Sequence, residues 1–370
     1  MRILHVYKDY FPVLGGIENH IKLLAERQAS AGHEVTVLVT SPTAHTEQEQ
    51  RDGVRVIKAA RLAEFASTPL SLAMPRRLWR EHPDITHLHF PYPPAEISQW
   101  PFLGKRPTVL TYHSDIVRQQ RALVLYRPLM LHILRRVDRI LVSSPNYMES
   151  SEVLRRLRGS CSVIPFGIDQ SRFRNVPEDA VQRVRELYGS GPWILFVGVL
   201  RYYKGLRYLL EALKSVQARL LIVGEGPEGP ALRSMAETLG LGSQVVFAGA
   251  VPDEALPAYY RAADVFCLPA SERSEAFGLV QLEALASGLP IVSTELGTGT
   301  SYVNQDGISG LVVPPRNPEA LSDALNRVLE DSALRARLSA GAQERARCFE
   351  ADSMTSSIEA VYQQVLDAHR

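Results

Sequence analysis

The sequence predicts an α/β protein built from two doubly wound domains in tandem, and three observations carry that prediction. The chain has 370 residues, about twice the length of an average domain. Short apolar runs alternate with helix-period segments from end to end, the pattern of parallel sheets made of strand–helix–strand units. The pattern breaks once, in a polar stretch from Gly167 to Gly191, and then restarts. With 45% of residues hydrophobic and 22% charged, the chain is far too apolar to stay disordered.

In the first half, Ile3–Tyr7 reads as a strand, followed by the loop Pro12-Val13-Leu14-Gly15-Gly16. An amphipathic helix from about Ile17 to Ala31 comes next and is closed by Gly32. Val35–Thr40, Val54–Lys58, Ile85–His89, Thr108–Tyr112 and Arg139–Ser143 read as further strands, and Val163–Pro165 ends the half. The stretch Gly167–Gly191 carries Pro177, Gly189 and Gly191, with Pro192 just beyond, the composition of a linker with one short helix. Strands then recur at Trp193–Val197, Arg219–Val223, Gln244–Phe247, Val265–Leu268, Pro290–Ser293 and Gly310–Val313. Helices are expected between them at about Lys204–Gln217, Pro230–Gly240, Glu254–Ala263, Phe277–Ser287 and Pro318–Leu329. The domains predicted are therefore 1–170 and 190–350, with a last helix near Ser353–His369 whose partner domain the pattern leaves open. Open parallel sheets bind ligands at the carboxyl ends of their strands, so the ligand is expected in a cleft between the domains.

The 41 Lys and Arg balance 40 Asp and Glu, which argues against a nucleic-acid binder. The balance hides a split. Residues 1–170 hold 22 basic and 16 acidic residues, residues 171–370 hold 19 and 24, and the segment Lys105–Arg139 alone holds eight and two. Arg118, Arg121, Arg127, Arg135 and Arg136 there are interleaved with Leu123, Val124, Leu125, Leu129, Met130 and Leu131. That composition suits an anionic membrane surface or a lipid-diphosphate-linked acceptor, and equally a solvated helix face. Cys161, Cys267 and Cys348 have no Cys-x-x-Cys spacing, so neither a disulfide framework nor a cysteine zinc site is implied. The first residues, MRILHVYKDYF, lack the features of a signal peptide. No apolar run reaches the roughly 20 residues that span a membrane. A cytoplasmic protein, free or attached to a membrane surface, is the expectation.

The sharpest chemical pattern is Glu275-Ala-Phe-Gly-Leu-Val-Gln-Leu-Glu283 around a predicted helix start. Gly278 permits close backbone approach, and the amides of Phe277, Gly278, Leu279 and Val280 are read as unpaired first-turn donors. With the helix dipole they form a receptor for phosphate oxygens. Glu283 suits a ribose diol and Glu275 suits sugar hydroxyls. Phe196-Val-Gly-Val-Leu-Arg-Tyr-Tyr-Lys-Gly205 ends a strand with two cations, Arg201 and Lys204, of the kind that neutralise a departing diphosphate. Gly15-Gly16 exposes backbone after the first strand, and His113 stands at the end of a strand, where such sheets place their active groups. His87 and His89 invite a metal reading, but the sequence supplies no third ligand nearby, which makes a poor zinc site.

Together with Thr111-Tyr-His113, Ile164-Pro-Phe-Gly-Ile-Asp169 and Gly224-Glu-Gly-Pro227, these elements resemble the ordered motifs of the retaining, nucleotide-sugar-dependent glycosyltransferases of family 4. The resemblance spans residues 1 to about 350 and implies the GT-B architecture, two Rossmann-like domains facing each other across a cleft. It implies that the last helix returns to the N-terminal domain. It further implies that Glu283 holds the ribose, that Glu275 and the Phe277–Val280 amides hold donor sugar and diphosphate, and that Arg201 and Lys204 meet the leaving phosphates. Gly15 and Gly16 would lie against the donor, His113 near the reacting carbon, and Gly249-Ala-Val251 at the base, with Gly224 and Gly226 close by.

Arg201 departs from the family pattern, which places its Arg directly after the strand-ending Gly, the position of Val199 here. The segment Glu295–Asn304 is similar to members that transfer mannose or a related deoxyhexose from a GDP-linked donor in surface-polysaccharide assembly. The expected partners are a nucleotide-sugar donor and a glycan or lipid-linked acceptor. No cofactor is expected, and the absence of Asp-x-Asp gives no support to a metal held through that motif. Three other readings compete. An epimerase of the same architecture and an inactive nucleotide-sugar-binding module would share these motifs. A nicotinamide oxidoreductase would use Gly224-x-Gly226-x-x-Gly229, against which stand Pro227, which removes a donor, and Glu225, which puts a carboxylate where a pyrophosphate would lie.

Overall fold

The computed structural model describes residues 1–370 apart from Leu14, Ala66, Ser67, Arg118, Gln119 and Ser190, and the backbone alone of Gln120, Arg121 and Ala122. The chain divides into two units, Met1–Gly167 with Ala351–Arg370, and Ile168–Glu350.

The first unit carries β1 (Arg2–Val6), β2 (Glu34–Thr40), β3 (Glu47–Arg51), β4 (Val54–Ala59), β5 (Ala63–Phe65), β6 (Thr68–Leu70), β7 (Ile85–Phe90), β8 (Thr108–Tyr112), β9 (Arg139–Val142) and β10 (Cys161–Val163). Its main sheet runs β10-β9-β8-β7-β1-β2-β4-β3, and β5 pairs with β6 separately. All neighbours in the main sheet are parallel except β3 with β4. Strands covered on both faces read as apolar runs, and β7 and β8 are buried throughout. β3 escapes that signal because Glu-Gln-Glu-Gln-Arg is an exposed edge strand, charged as edges are when they must not recruit another chain. The strand order reverses between β1 and β7, which sets the loops following those strands at the unit's switch point.

The second unit carries β11 (Trp193–Val197), β12 (Arg219–Val223), β13 (Val245–Gly249), β14 (Val265–Leu268), β15 (Ile291–Thr294) and β16 (Gly310–Val313). They form one parallel sheet in the order β13-β12-β11-β14-β15-β16, with its switch point between β11 and β14. The stretch expected as a linker belongs to this unit. Its helices Ser171–Arg174 and Glu178–Tyr188 bury Phe173, Val181 and Val184 and pack on the helix Leu256–Ala262. The apolar residues were present in the sequence, but the flanking Gly and Pro obscured their spacing. The helix Ser332–Ala346 was also not expected. It buries only Leu338, Ala342 and Ala346, too sparse a stripe to show as a period.

The last helix, Ala351–Ala368, joins the first unit, packing on the helix Gly16–Ser30 and on β8. Met354 Sδ accepts a hydrogen bond from Gly167 N at 3.1 Å, and Ile358, Val361, Tyr362 and Val365 are buried. Among the described residues no helix is long and apolar enough to cross a membrane.

Candidate functional site

In the second unit the switch point brings the loop after β11 against the loop after β14. Gly205, at φ +70°, makes that approach possible, since a Cβ there would lie 1.9 Å from the carbonyl oxygen of Pro269. The turn Tyr202–Lys204 thereby delivers Lys204 to Glu275, Nζ to Oε2 at 2.6 Å, with side chains only 10% and 8% exposed. Glu275 is held in turn by its own backbone, whose carbonyl accepts from Thr298 Oγ1 at 2.8 Å, and Gly299 N donates to Ala276 O at 2.7 Å. A buried ion pair is a poor stabiliser once its desolvation is counted. Its presence at a switch point therefore points to a ligand.

The helix expected to begin at Phe277 begins at Leu279 and runs to Ala286, with Gly278 as its N-cap at φ +78°. Phe277 is buried before it, so Phe277 and Gly278 are not first-turn residues. The amides of Leu279 and Val280 are first-turn donors, and no side chain caps them. One turn on, Glu283 Oε2 accepts from the buried Tyr260 hydroxyl at 2.6 Å. Burial pushes the Glu283 carboxyl up to about 7, opposed by the Tyr260 hydrogen bond and, further off, by Arg172 and Lys204. Tyr260 was not singled out from the sequence. Nothing in Pro-Ala-Tyr-Tyr-Arg marks it as the residue that orients Glu283.

Gly224 and Gly226 have a packing explanation of their own. A Cβ at Gly224 would stand 2.2 Å from Gly198 O, and one at Gly226 would stand 2.6 Å from Leu200 N and O. The glycines let the loop after β12 lie flat on the loop after β11, where Leu200 N donates to Glu225 O at 3.0 Å. That contact accounts for the spacing that resembled a dinucleotide fingerprint. Val251 follows the end of β13 at Gly249, which holds φ +73°. Arg201 is exposed and stands outside the Lys204–Glu275 pair.

In the first unit, Gly16 opens the helix Gly16–Ser30 and Gly15 is its N-cap. At Gly15 a Cβ would meet only the Glu18 carboxylate, 2.1 Å from Oε2, which a side chain there would have to push aside. His113, just past β8, lies in a buried cluster with His5, His20, His87 and His89, half of the chain's 10 histidines. This overturns the expectation that His87 and His89 stand without a third ring. His5 pairs with His87 across β1 and β7, and His20 reaches in from the helix Gly16–Ser30. Two triplets, His5/His87/His89 and His20/His89/His113, have ring nitrogens within 4.8 Å of one another. Most of those nitrogens are already hydrogen-bonded. His87 bonds Tyr362 and Thr111, His5 bonds Gln28 and His89, and His89 bonds His113 at 3.0 Å. Burial holds His113, His87 and His89 well below the usual imidazole range, and lowers His5 to about 4.

The chain is similar to known proteins along its length. Residues 14–172 match the family model described as Glycosyltransferase Family 4, and residues 178–345 the one described as Glycosyl transferases group 1. The chain is 39% identical to the O-antigen chain mannosyltransferase C of Escherichia coli over all of both chains. It is 42% identical to a D-rhamnosyltransferase of Pseudomonas aeruginosa over 89% of this chain and 87% of that one. Among solved structures, a sucrose-phosphate synthase from Thermosynechococcus elongatus superposes with a TM-score of 0.85 at 24% identity, covering 99% of each chain. WaaG, a glycosyltransferase of lipopolysaccharide biosynthesis, superposes with a TM-score of 0.74 at 21% identity over 97% of this chain and 99% of its own. Two Rossmann-like units of the GT-B class, matched by both family models and by relatives along its full length, make this chain a member of the family 4, group 1 glycosyltransferases.

Proposed function

We propose that this glycosyltransferase moves mannose or a related deoxyhexose, with retention, from a GDP-linked donor to a hydroxyl of a lipid-linked or polysaccharide acceptor. The observation that carries the reading is the buried Lys204–Glu275 pair beside the uncapped start of the helix Leu279–Ala286. Lys204 and the Leu279 and Val280 amides supply positive potential to a diphosphate without a metal ligand set, while Glu275 offers a carboxylate to sugar hydroxyls. Glu283, oriented by Tyr260, takes the ribose diol. The sugar preference rests on the relatives, whose names specify mannose and D-rhamnose.

The chemistry follows from those roles. The bond between the anomeric carbon and the diphosphate oxygen breaks, its electron pair leaves with the diphosphate, and Lys204 offsets the charge gained. The acceptor hydroxyl attacks the oxocarbenium-like sugar from the face just vacated, and its proton passes to the departing phosphate. His113 serves as a polar partner for a sugar hydroxyl. Arg201, which is exposed, is assigned the outer phosphate. A thermal-shift comparison of GDP, UDP and ADP, followed by mass spectrometry of products from GDP-mannose and GDP-rhamnose, tests the reading. A larger shift with UDP than with GDP, or hydrolysed sugar without a new glycoside, would overturn it.

The basic segment supports a second reading, peripheral contact with an anionic lipid surface. On the helix Gln120–Leu134, Val124 is 73% and Leu125 85% exposed, and Arg135 and Arg136 just beyond it are exposed. Arg118 and the Arg121 side chain lie outside the described residues. Exposed apolar side chains on a helix with cations just past its end suit an interface where both find partners. Replacing Val124 and Leu125 by Ser and Arg135 and Arg136 by Glu should weaken cosedimentation with phosphatidylglycerol vesicles in a salt-sensitive way. Unchanged binding excludes this helix as the contact.

A further inference from the structure

The buried histidines of the first unit form an ordered series. His5 Nε2 lies 2.8 Å from Gln28 Oε1, His5 Nδ1 lies 3.1 Å from His89 Nε2, and His89 Nδ1 lies 3.0 Å from His113 Nε2. His5 and His89 thus each spend one nitrogen on the neighbour before and one on the neighbour after, and His113 spends Nε2 alone. A neutral imidazole has one N–H donor and one acceptor nitrogen, so the state of one ring dictates the state of the next. The amide oxygen of Gln28 only accepts. It therefore requires a proton on His5 Nε2, which leaves His5 Nδ1 to accept from His89 Nε2, and His89 Nδ1 to accept from His113 Nε2. At the far end His113 is left with a bare Nδ1 lone pair. Burial keeps the rings neutral, as the depressed pKa of each requires.

We propose that Gln28, His5 and His89 are positioning residues that lock His113 as the Nε2–H tautomer, so that its Nδ1 accepts a hydrogen bond from a sugar hydroxyl. The proposal deepens the assignment of His113 made above and rests on it for the last contact only. The element arrangement explains why the series holds its geometry. His5 and His89 stand on adjacent strands β1 and β7, Gln28 comes from the helix Gly16–Ser30 that covers them, and His113 follows β8. His87 completes the layer, stacked on His89 with ring centroids 4.4 Å apart and tied to Thr111 and Tyr362. The series ends at His113 Nδ1, the one ring nitrogen of His5, His89 and His113 that bonds no other member, as a closed structural seam would not need to.

A buried metal fits the same rings less well. Ligation at His20, His89 and His113 would have to break one of the two ring hydrogen bonds of His89, and no carboxylate belongs to either triplet to offset the charge.

The test is long-range ¹H–¹⁵N NMR of the full-length protein labelled at histidine, together with turnover. In the wild type the His113 proton should be on Nε2, with Nδ1 giving the shift of an unprotonated ring nitrogen. Gln28→Met removes the terminal acceptor at similar volume and should populate both tautomers of His113 while lowering kcat about tenfold with KM little changed. Gln28→Glu, which keeps an acceptor, should restore the wild-type tautomer. In a His113→Ala background, Gln28→Met should cost no further activity, whereas a merely structural defect would add. A His113 proton on Nδ1 in the wild type, additive losses, or stoichiometric zinc in the purified protein would each overturn the lock. The NMR readout needs no substrate, so it is separable from the His113 assignment itself, which the turnover of His113→Ala tests alone.

Discussion

Lys204 and Glu275 lie 2.6 Å apart where little water reaches them. Each is therefore expensive to leave alone. Lys204→Met strands a buried carboxylate and should cost about 3–5 kcal/mol of stability, read from denaturant unfolding, whereas Lys204→Met with Glu275→Gln should recover most of it and still fail to transfer sugar. Recovery of activity with stability would show that the pair is structural only. Glu283 makes a different prediction, because its carboxyl is raised to about 7 by burial. Its ionised form is disfavoured in the folded state, so its favourable contribution to stability is full below the ordinary carboxyl range and is lost as pH rises through about 7. A ribose diol donates to the ionised form, so nucleotide affinity should instead increase across that window. Titration calorimetry between pH 5.5 and 8.5, taken about those limits, should show the rise in the wild type and a flat profile in Glu283→Gln. The Glu275-x₇-Glu283 spacing could be read from the sequence. The partners of both residues could not, because Lys204 reaches Glu275 from the turn after β11 and Tyr260 reaches Glu283 from the helix Leu256–Ala262.

At the scale of the element, the loops after β11, β12 and β14 are packed backbone on backbone, and glycine is what allows it. Gly226→Ala would bring a Cβ to 2.6 Å from the Leu200 backbone, which has no flexible end to move aside. It should cost about 1–3 kcal/mol and displace the Lys204 turn. Gly242→Ala, with no atom within 4 Å and no positive φ, is the control without crowding. Equal melting temperatures for the two variants would deny the loop-on-loop contact. The parallel strands were legible because burial on both faces leaves continuous apolar runs. The edge strand β3 and the hairpin of β5 and β6 were not, since Glu-Gln-Glu-Gln-Arg and Ala-Glu-Phe have no such run. The start of the helix Leu279–Ala286 was misplaced by two residues, because Gly278 turns at positive φ to become its cap and Phe277 goes into the core.

At the scale of the whole molecule, each unit has its own core and its own switch point, and the first depends on the end of the chain. The helix Ala351–Ala368 seats Met354, Ile358, Val361, Tyr362 and Val365 in the first unit, and Tyr362 bonds His87 beneath it. Removing residues 351–370 should therefore lower hydrogen-exchange protection in β1, β7 and β8 while β11, β12 and β14 keep theirs. Uniform loss would mean the units do not fold as separate cores.

The sequence by itself determined the tandem α/β class, the strand order along the chain, the Glu275/Glu283 pattern and the family resemblance, because these are carried by local periodicity and short motifs. Only the tertiary structure decided what those residues touch. Which rings meet His113 depends on β1 lying beside β7, with helices from both ends of the chain laid across them. Hydrogen bonds between residues 23 to 275 positions apart leave no trace in spacing, because pairing is set by sheet order and not by distance along the chain.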